Sequence, residues 1–219
     1  MKRNCIKKDG MELDFLLGYA TLSYEGIILS RSRGLYSSIY HNNAWYDSRF
    51  AIWQILDSDK NSISLYGEWA NLPHRQSWYF KFEDGKLHWS IKWDNLNDLI
   101  VSMVQQNFML IDYYTDFVVK GYVKGKFPEY FSNFKGLLWD RVWSMPQLKD
   151  SQITFKSTNS SVPDLTWIST LTKKDTLNVI ENTGFEDSAR ILQLLFVNTE
   201  DGLIEDNCAM SLESVLKID

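Results

Sequence analysis

Residues 78–93 read WYFKFEDGKLHWSIKW, and the strict alternation in that string excludes a helix. Asp84-Gly85 is a two-residue turn whose twist matches that of paired strands. With that turn fixed, Phe82 faces Leu87, Phe80 faces Trp89 and Trp78 faces Ile91, and all six share one side of the hairpin. Tyr79, Lys81, Glu83, Lys86, His88, Ser90 and Lys92 take the other side. An apolar layer this thick needs a second layer to cover it, so the hairpin predicts one sheet packed on another.

The pattern continues on both sides. Tyr19–Tyr24 and Ile27–Arg31 flank Glu25-Gly26; Leu35–Tyr40 and Ala44–Asp47 flank Asn42-Asn43, a pair that tolerates positive φ. Phe50–Leu56 and Ser62–Trp69 flank the polar run Asp57–Asn61. Further strands read at Ile100–Leu110, Phe117–Val123, Gln152–Ser157, Thr176–Glu181 and Ala189–Val197. Lys124–Asp150 breaks the rhythm with Pro128, Pro146 and a group of aromatics, and reads as a long ordered loop of the kind that carries binding residues. Ser211–Leu216 suits a short helix or a last strand. About a dozen strands with little helix predict an all-β fold: a large antiparallel two-sheet sandwich. Residues 15–219 form its single domain and residues 1–14 a flexible tail.

Composition narrows the function. The chain has 219 residues, 44% of them hydrophobic and 23% charged, with a net charge of −5. That balance suits a globular protein and argues against nucleic acid, whose phosphates require clustered Lys and Arg. The basic run Lys2, Arg3, Lys7 and Lys8 reads as a solvated terminus. Cys5 and Cys208, near opposite ends, read as isolated thiols rather than a framework, with one disulfide between them the alternative if the termini meet. No segment reaches the ~20 apolar residues of a membrane span. Glu12 and Asp14 spoil any signal peptide, so a cytoplasmic address is expected unless the chain belongs to a longer one.

The chain contains nine tryptophans, and aromatic residues make up 15% of it. Such a surplus serves either a heavy core or flat platforms for sugar rings. Trp53, Trp78, Trp89 and Trp93 fall on apolar faces and read as core. Trp45, Trp69, Trp139 and Trp143 stand at turns or loops and remain open between packing and ligand contact. The most distinctive string is G-x-W-x-x-L-P-x-x-Q-x-W over Gly67–Trp78, where Pro73 suggests an extended crossover loop between strands. With this string, with Gly34-Leu35-Tyr36-Ser37-Ser38, Trp45-Tyr46-Asp47-Ser48 and Ala51-Ile52-Trp53, and with Ile180-Glu181-Asn182-Thr183 followed by Ala189-Arg190-Ile191-Leu192-Gln193, the chain resembles the galactose-mutarotase-like β-supersandwich domains of polysaccharide-processing and polysaccharide-biosynthesis proteins. The resemblance spans most of residues 19–197 and implies a curved sandwich with a face that receives a glycan. The acid–base motifs of sugar mutarotases find no place on this sequence.

The favoured reading is non-catalytic recognition of an oligosaccharide or polysaccharide. Trp45, Trp69, Trp139 and Trp143 would stack on sugar faces, and Asp47, Asn71, His74, Arg75, Gln76 and Arg141 would orient hydroxyls. A sugar-modifying enzyme, an epimerase, mutarotase or lyase, is the alternative, with His74 and Glu68 or Asp47 exchanging protons. A third reading is a docking domain, which an exposed flat apolar patch would favour. No phosphate loop, nucleophile motif or metal-ligand spacing is present, so no cofactor is expected.

Overall fold

The computed structural model describes residues 4–95, 99, 101–129, 140–146, 151–170, 176–184, 188–198 and 210–219. Its strands run β1 (Asn4–Lys8), β2 (Met11–Leu16), β3 (Tyr19–Tyr24), β4 (Ile27–Ile28), β5 (Ser30–His41) and β6 (Ala44–Asp47). A 3-10 turn, Ser48–Phe50, leads into β7 (Ile52–Ser58), β8 (Ser62–Trp69), β9 (Leu72–Glu83) and β10 (Lys86–Asn95). The remainder are β11 (Met103–Leu110), β12 (Tyr114–Val119), β13 (Val123–Lys126), β14 (Asp140–Pro146), β15 (Ser151–Ser157), β16 (Leu165–Thr170), β17 (Thr176–Thr183), β18 (Ala189–Val197) and β19 (Met210–Ile218). No α-helix occurs among the described residues, and no helix is long and apolar enough to cross a membrane.

All the pairings are antiparallel and make two sheets. The ten-stranded sheet runs β1-β2-β3-β5-β11-β18-β17-β14, with β4 on β3 and β6 on β5. The nine-stranded sheet runs β13-β12-β15-β16-β19-β10-β9-β8-β7. They stack face to face. Gln76 on β9 donates to Ser37 Oγ on β5 at 3.1 Å, and Gln106 on β11 donates to the Trp89 carbonyl on β10 at 3.1 Å. Trp93 meets Phe196 with ring centroids 5.8 Å apart. The all-β sandwich is therefore present, built from more strands than the turn spacing suggested.

The β9–β10 hairpin has the expected register, with Phe82 opposite Leu87, Phe80 opposite Trp89 and Trp78 opposite Ile91. All six are buried. Asp84 and Gly85 both have positive φ, as do Asp9-Gly10, Leu17-Gly18, Glu25-Gly26 and Asn42-Asn43 at the other tight hairpins. Such pairs match the right-handed twist of the strands they join.

Three expectations need correcting. Residues 4–8 and 11–16 are strands, not a tail, because Ile6, Met11 and Leu13 alternate inward and close the end of the core. The Gly67–Trp78 string is a tight hairpin, not a crossover. Ala70 and Asn71 make the turn, and Pro73 is accommodated because β8 pairs Glu68 with Arg75 and Trp69 with Leu72. The resulting bulge asks no ladder hydrogen bond of residue 73. Within the segment expected to be one loop, Asp140–Pro146 pairs with β17 as an edge strand.

The two sheets treat their outer faces differently. β9 alternates buried and exposed along nearly its whole length, as a half-solvated strand should. In β18 every residue from Ala189 to Phe196 is buried, and β5, β11 and β17 carry long doubly buried runs. The centre of the ten-stranded sheet is thus enclosed on the face turned away from its partner as well.

Candidate functional site

That second buried face is mixed: Tyr36, Met109, Ala189 and Ile191 form an apolar cluster on it, beside the polar residues Ser38, Asn107, Glu181 and Gln193. Gln106 and Phe108 point at the other sheet, so Gln105, Asn107 and Met109 point away from it. Register carries the outward set across the strands. Asn107 stands opposite Tyr36 on β5 and Gln193 on β18, and Gln105 stands opposite Ser38, which faces Asp47 on β6. Met109 faces Ile191, which faces Glu181 on β17, which faces Arg141 on β14. Tyr36, Ser38, Asn107, Glu181 and Gln193 are all buried.

The hydrogen bonding of Asn107 is incomplete. Asn107 Nδ2 donates at long range to Ser38 Oγ (3.5 Å) and Gln105 Oε1 (3.4 Å), while Asn107 Oδ1 is buried with no partner. A buried amide oxygen in that state costs about 1–3 kcal/mol, so such a position needs an explanation. The Glu181 carboxyl is held above its ordinary range by burial, opposed by the Arg141 guanidinium, whose Nε and Nη2 both lie 3.4 Å from Glu181 Oε1. At the other end Asp47 accepts from Arg33, from Arg49 Nε at 3.2 Å and from the Arg49 backbone N–H at 2.9 Å. Arg33 also lies over the Tyr36 ring, 5.3 Å from its centroid. Trp45, 51% exposed, packs on Tyr40 at the rim of this face.

The residues singled out from sequence divide among three places. Asp47, Trp45 and Arg141 share this outer face but not one spot. Five strand spacings separate β6 from β14, roughly 24 Å along the sheet. Trp69, His74 and Gln76 point into the sandwich. Trp69 donates its indole N–H to the Asp47 carbonyl at 3.1 Å and meets the His74 ring edge-on at 5.4 Å. Gln76 accepts from Trp78 Nε1 at 2.9 Å and lies 3.3 Å from His74 Nε2. Glu68, Asn71 and Arg75 are exposed, with Arg75 Nε 3.8 Å from Glu68 Oε2. A shallow depression joins Glu68, Trp69, Asn71, His74 and Arg75 with Ile52 and Pro73.

His74 and Glu68 therefore diverge, one inward and one outward. Asp47 is engaged by Arg33 and Arg49. Trp143 is half-buried, its strand shifting register beside it so that it pairs with Ile180 and packs on the core. Trp139 lies outside the described residues, as does Cys208; Cys5 is an exposed free thiol. Among the described residues no group of three or more His, Cys, Asp or Glu side chains gathers as a metal site.

Asn107, Gln193 and Glu181 escaped the sequence reading as site residues. The usable signal was a lone polar residue inside an otherwise apolar, doubly buried run, as with Gln193 between Leu192 and Leu194.

No protein-family model matches the chain, and no curated protein sequence matches it. Solved structures do. A protein named as a candidate aldose 1-epimerase from Escherichia coli K12 superposes with a TM-score of 0.60 at 11% identity, covering 100% of this chain and 99% of its own. An α-N-acetylgalactosaminidase from Bifidobacterium bifidum in complex with GalNAc gives 0.62 at 10% identity, over 99% of this chain and 36% of that one. An α-galactosidase from Lactobacillus brevis gives 0.57 at 9%, over 99% and 39%. The fold is the galactose-mutarotase-like β-supersandwich.

Proposed function

We propose that the chain is a carbohydrate-recognition domain that holds a glycan against the outer face of the ten-stranded sheet. One observation carries this reading: beside an apolar cluster, that face buries several polar side chains, and one of them, Asn107, keeps an unpartnered amide oxygen. A purely structural face would be apolar where buried or solvated where polar. Asn107, Gln193, Ser38 and the Glu181–Arg141 pair offer both donors and acceptors, the mixture a sugar hydroxyl needs. Tyr36 supplies an aromatic surface beside them, and Trp45 an exposed one at the rim. The epimerase and galactosidase names attached to proteins of the same fold favour a sugar over other polar ligands. Affinity is weak, because hydroxyl-rich ligands surrender much of their hydrogen-bond energy in desolvation.

The test is calorimetric titration with a panel of oligosaccharides, repeated on Asn107→Leu and Gln193→Met. Both variants are expected to keep their melting temperature and lose at least tenfold in affinity. Arg75→Ala, in the shallow depression on the other sheet, is expected to bind as the parent does. No binding across the panel, or binding lost in Arg75→Ala and kept in Asn107→Leu, overturns the assignment. Glu181, the carboxyl of this face with a raised affinity for protons, favours a second reading as a sugar-modifying enzyme. Turnover abolished by Glu181→Gln with binding retained would establish it.

A further inference from the structure

Asn107 lies on a central strand of the ten-stranded sheet, and only one arm of its amide is engaged. Its Nδ2 is 3.4 Å from Gln105 Oε1 and 3.5 Å from Ser38 Oγ. An amide oxygen such as Gln105 Oε1 can only accept, so the nitrogen of Asn107 belongs on that side. Both partners lie in one direction, because Gln105 is two residues back along β11 and Ser38 stands opposite Gln105. The two arms of an amide diverge, so Oδ1 is turned away from that row. It is buried and has no partner. It accepts and never donates, so whatever completes it must bring an O–H or N–H.

The surface away from that row is apolar. Tyr36 stands directly opposite Asn107 on β5, and Met109, two residues further along β11, stands opposite Ile191 on β18. These three form with Ala189 a buried apolar cluster separate from the core between the sheets. An acceptor beside an apolar floor matches a sugar ring, whose edge carries hydroxyl donors and whose C–H face is apolar. The same surroundings disfavour an anion. Arg33 and Arg49 are already paired with Asp47, and Arg141 with Glu181. A carboxylate brought onto this face would give up its water without meeting one of these arginines unpaired.

We propose that Asn107 selects the ligand: its Oδ1 accepts from a hydroxyl of a neutral sugar ring whose C–H face rests on Tyr36, Met109 and Ile191, and uronic acids are rejected. This rests on the sugar reading above and narrows it, from a glycan in general to neutral rings held through a donated hydroxyl.

Ligand-observed NMR titration with the methyl glycosides of glucose, galactose and mannose, and with the matching uronides, tests the rejection of charge. At least one neutral glycoside is expected to bind, and its uronide to bind at least tenfold more weakly. Monofluorinated deoxy analogues of that glycoside test the hydrogen bond, because fluorine is close to a hydroxyl in size and brings no proton to donate. Fluorine at one position is expected to cost the parent at least tenfold in affinity. The same analogue is expected to cost nothing further in Asn107→Leu, or in Asn107→Ala should the leucine lower the melting temperature. A residue that only supports the sheet would not couple to one hydroxyl in this way. A uronide that binds as tightly as its neutral counterpart overturns the inference and leaves the sugar reading standing. So do fluorine losses of equal size in the parent and the Asn107 variants. Failure of every glycoside to bind overturns it too, and the sugar reading falls with it only if the oligosaccharides of the earlier panel also fail.

Discussion

Glu181 shows how one residue records the enclosure of its face. Desolvation raises its proton affinity above that of an ordinary glutamate, and Arg141 only partly offsets this. The native state therefore binds a proton more tightly than the unfolded chain. The stabilisation this gives is fully present below the unfolded-state pKa of about 4.3 and is lost as pH rises through the folded-state value. Glu181→Gln removes the ionisable group. It is expected to flatten that part of the pH–stability curve and to raise stability near neutrality by on the order of 1 kcal/mol. Urea melts of both proteins between pH 4 and 8 check the sign; equal slopes would mean that the carboxyl is not desolvated. Sequence could not display this. Glu181 lies in Thr176–Thr183 as one of 28 acidic residues, and nothing local tells a buried carboxylate from a turn cap. His74 illustrates the converse. Its position beside Arg75 and near Glu68 suggested a reactive pair, but β-strand alternation turns it inward while Glu68 and Arg75 turn outward.

At the scale of elements, legibility followed turn chemistry. Asp84-Gly85, Glu25-Gly26 and Asn42-Asn43 announce hairpins because their residues accept positive φ, and strands do meet at each, although Ile27–Arg31 and Leu35–Tyr40 divide instead into Ile27–Ile28 and one long strand, Ser30–His41. Asp9-Gly10 and Leu17-Gly18 make the same kind of turn, yet Lys7, Lys8, Glu12 and Asp14 disguised β1 and β2 as a solvated tail. In the sequence Pro163-Asp164 before Leu165–Thr170 and Leu171-Thr172 after it are not pairs of that kind, and the segment was not anticipated as a strand, although its Trp167 is fully buried. These turns are not equivalent mechanically. A Cβ at Gly18 would sit 2.1 Å from the Ser48 carbonyl oxygen, whereas one at Gly26 meets nothing within 4 Å. The crowding is anchored, because Ser48 Oγ donates to the Gly18 carbonyl at 2.6 Å and Trp53 Nε1 donates to the Ser48 carbonyl at 2.7 Å. Gly26→Ala is expected to cost only the left-handed backbone penalty of about 1–2 kcal/mol. Gly18→Ala adds a collision with fixed backbone, about 1–3 kcal/mol more. Chemical denaturation of the two variants measures the difference, and equal losses would show that the Ser48 junction yields freely.

For the molecule as a whole the question is what holds two broad sheets in register. Apolar burial is non-directional, so it favours contact without specifying alignment. Directional bonds across the interior specify it. Gln76 and Gln106 do so near the middle. Towards another part of the stack Arg190 on β18 does more. Its Nε donates to the Tyr114 carbonyl on β12 at 3.2 Å, and its Nη1 to the Pro128 carbonyl at 2.8 Å and to Asn182 Oδ1 at 2.6 Å. Its guanidinium also lies 4.9 Å from the centroid of the Phe127 ring. Burial lowers its pKa to about 10, which still leaves it charged at neutral pH. Arg190→Met keeps the apolar stem and removes every one of those donors. The carbonyls of Tyr114 and Pro128 and the Asn182 amide oxygen then lose this partner together, for an expected loss of about 2–4 kcal/mol. The damage should be local in character. Amide hydrogen exchange is expected to quicken in β12 and β13, which this arginine ties to the opposite sheet, while the β9–β10 hairpin keeps its protection. Uniform loss of protection across both sheets would show instead that the stack opens as one unit, and that Arg190 contributes to global stability without fixing alignment.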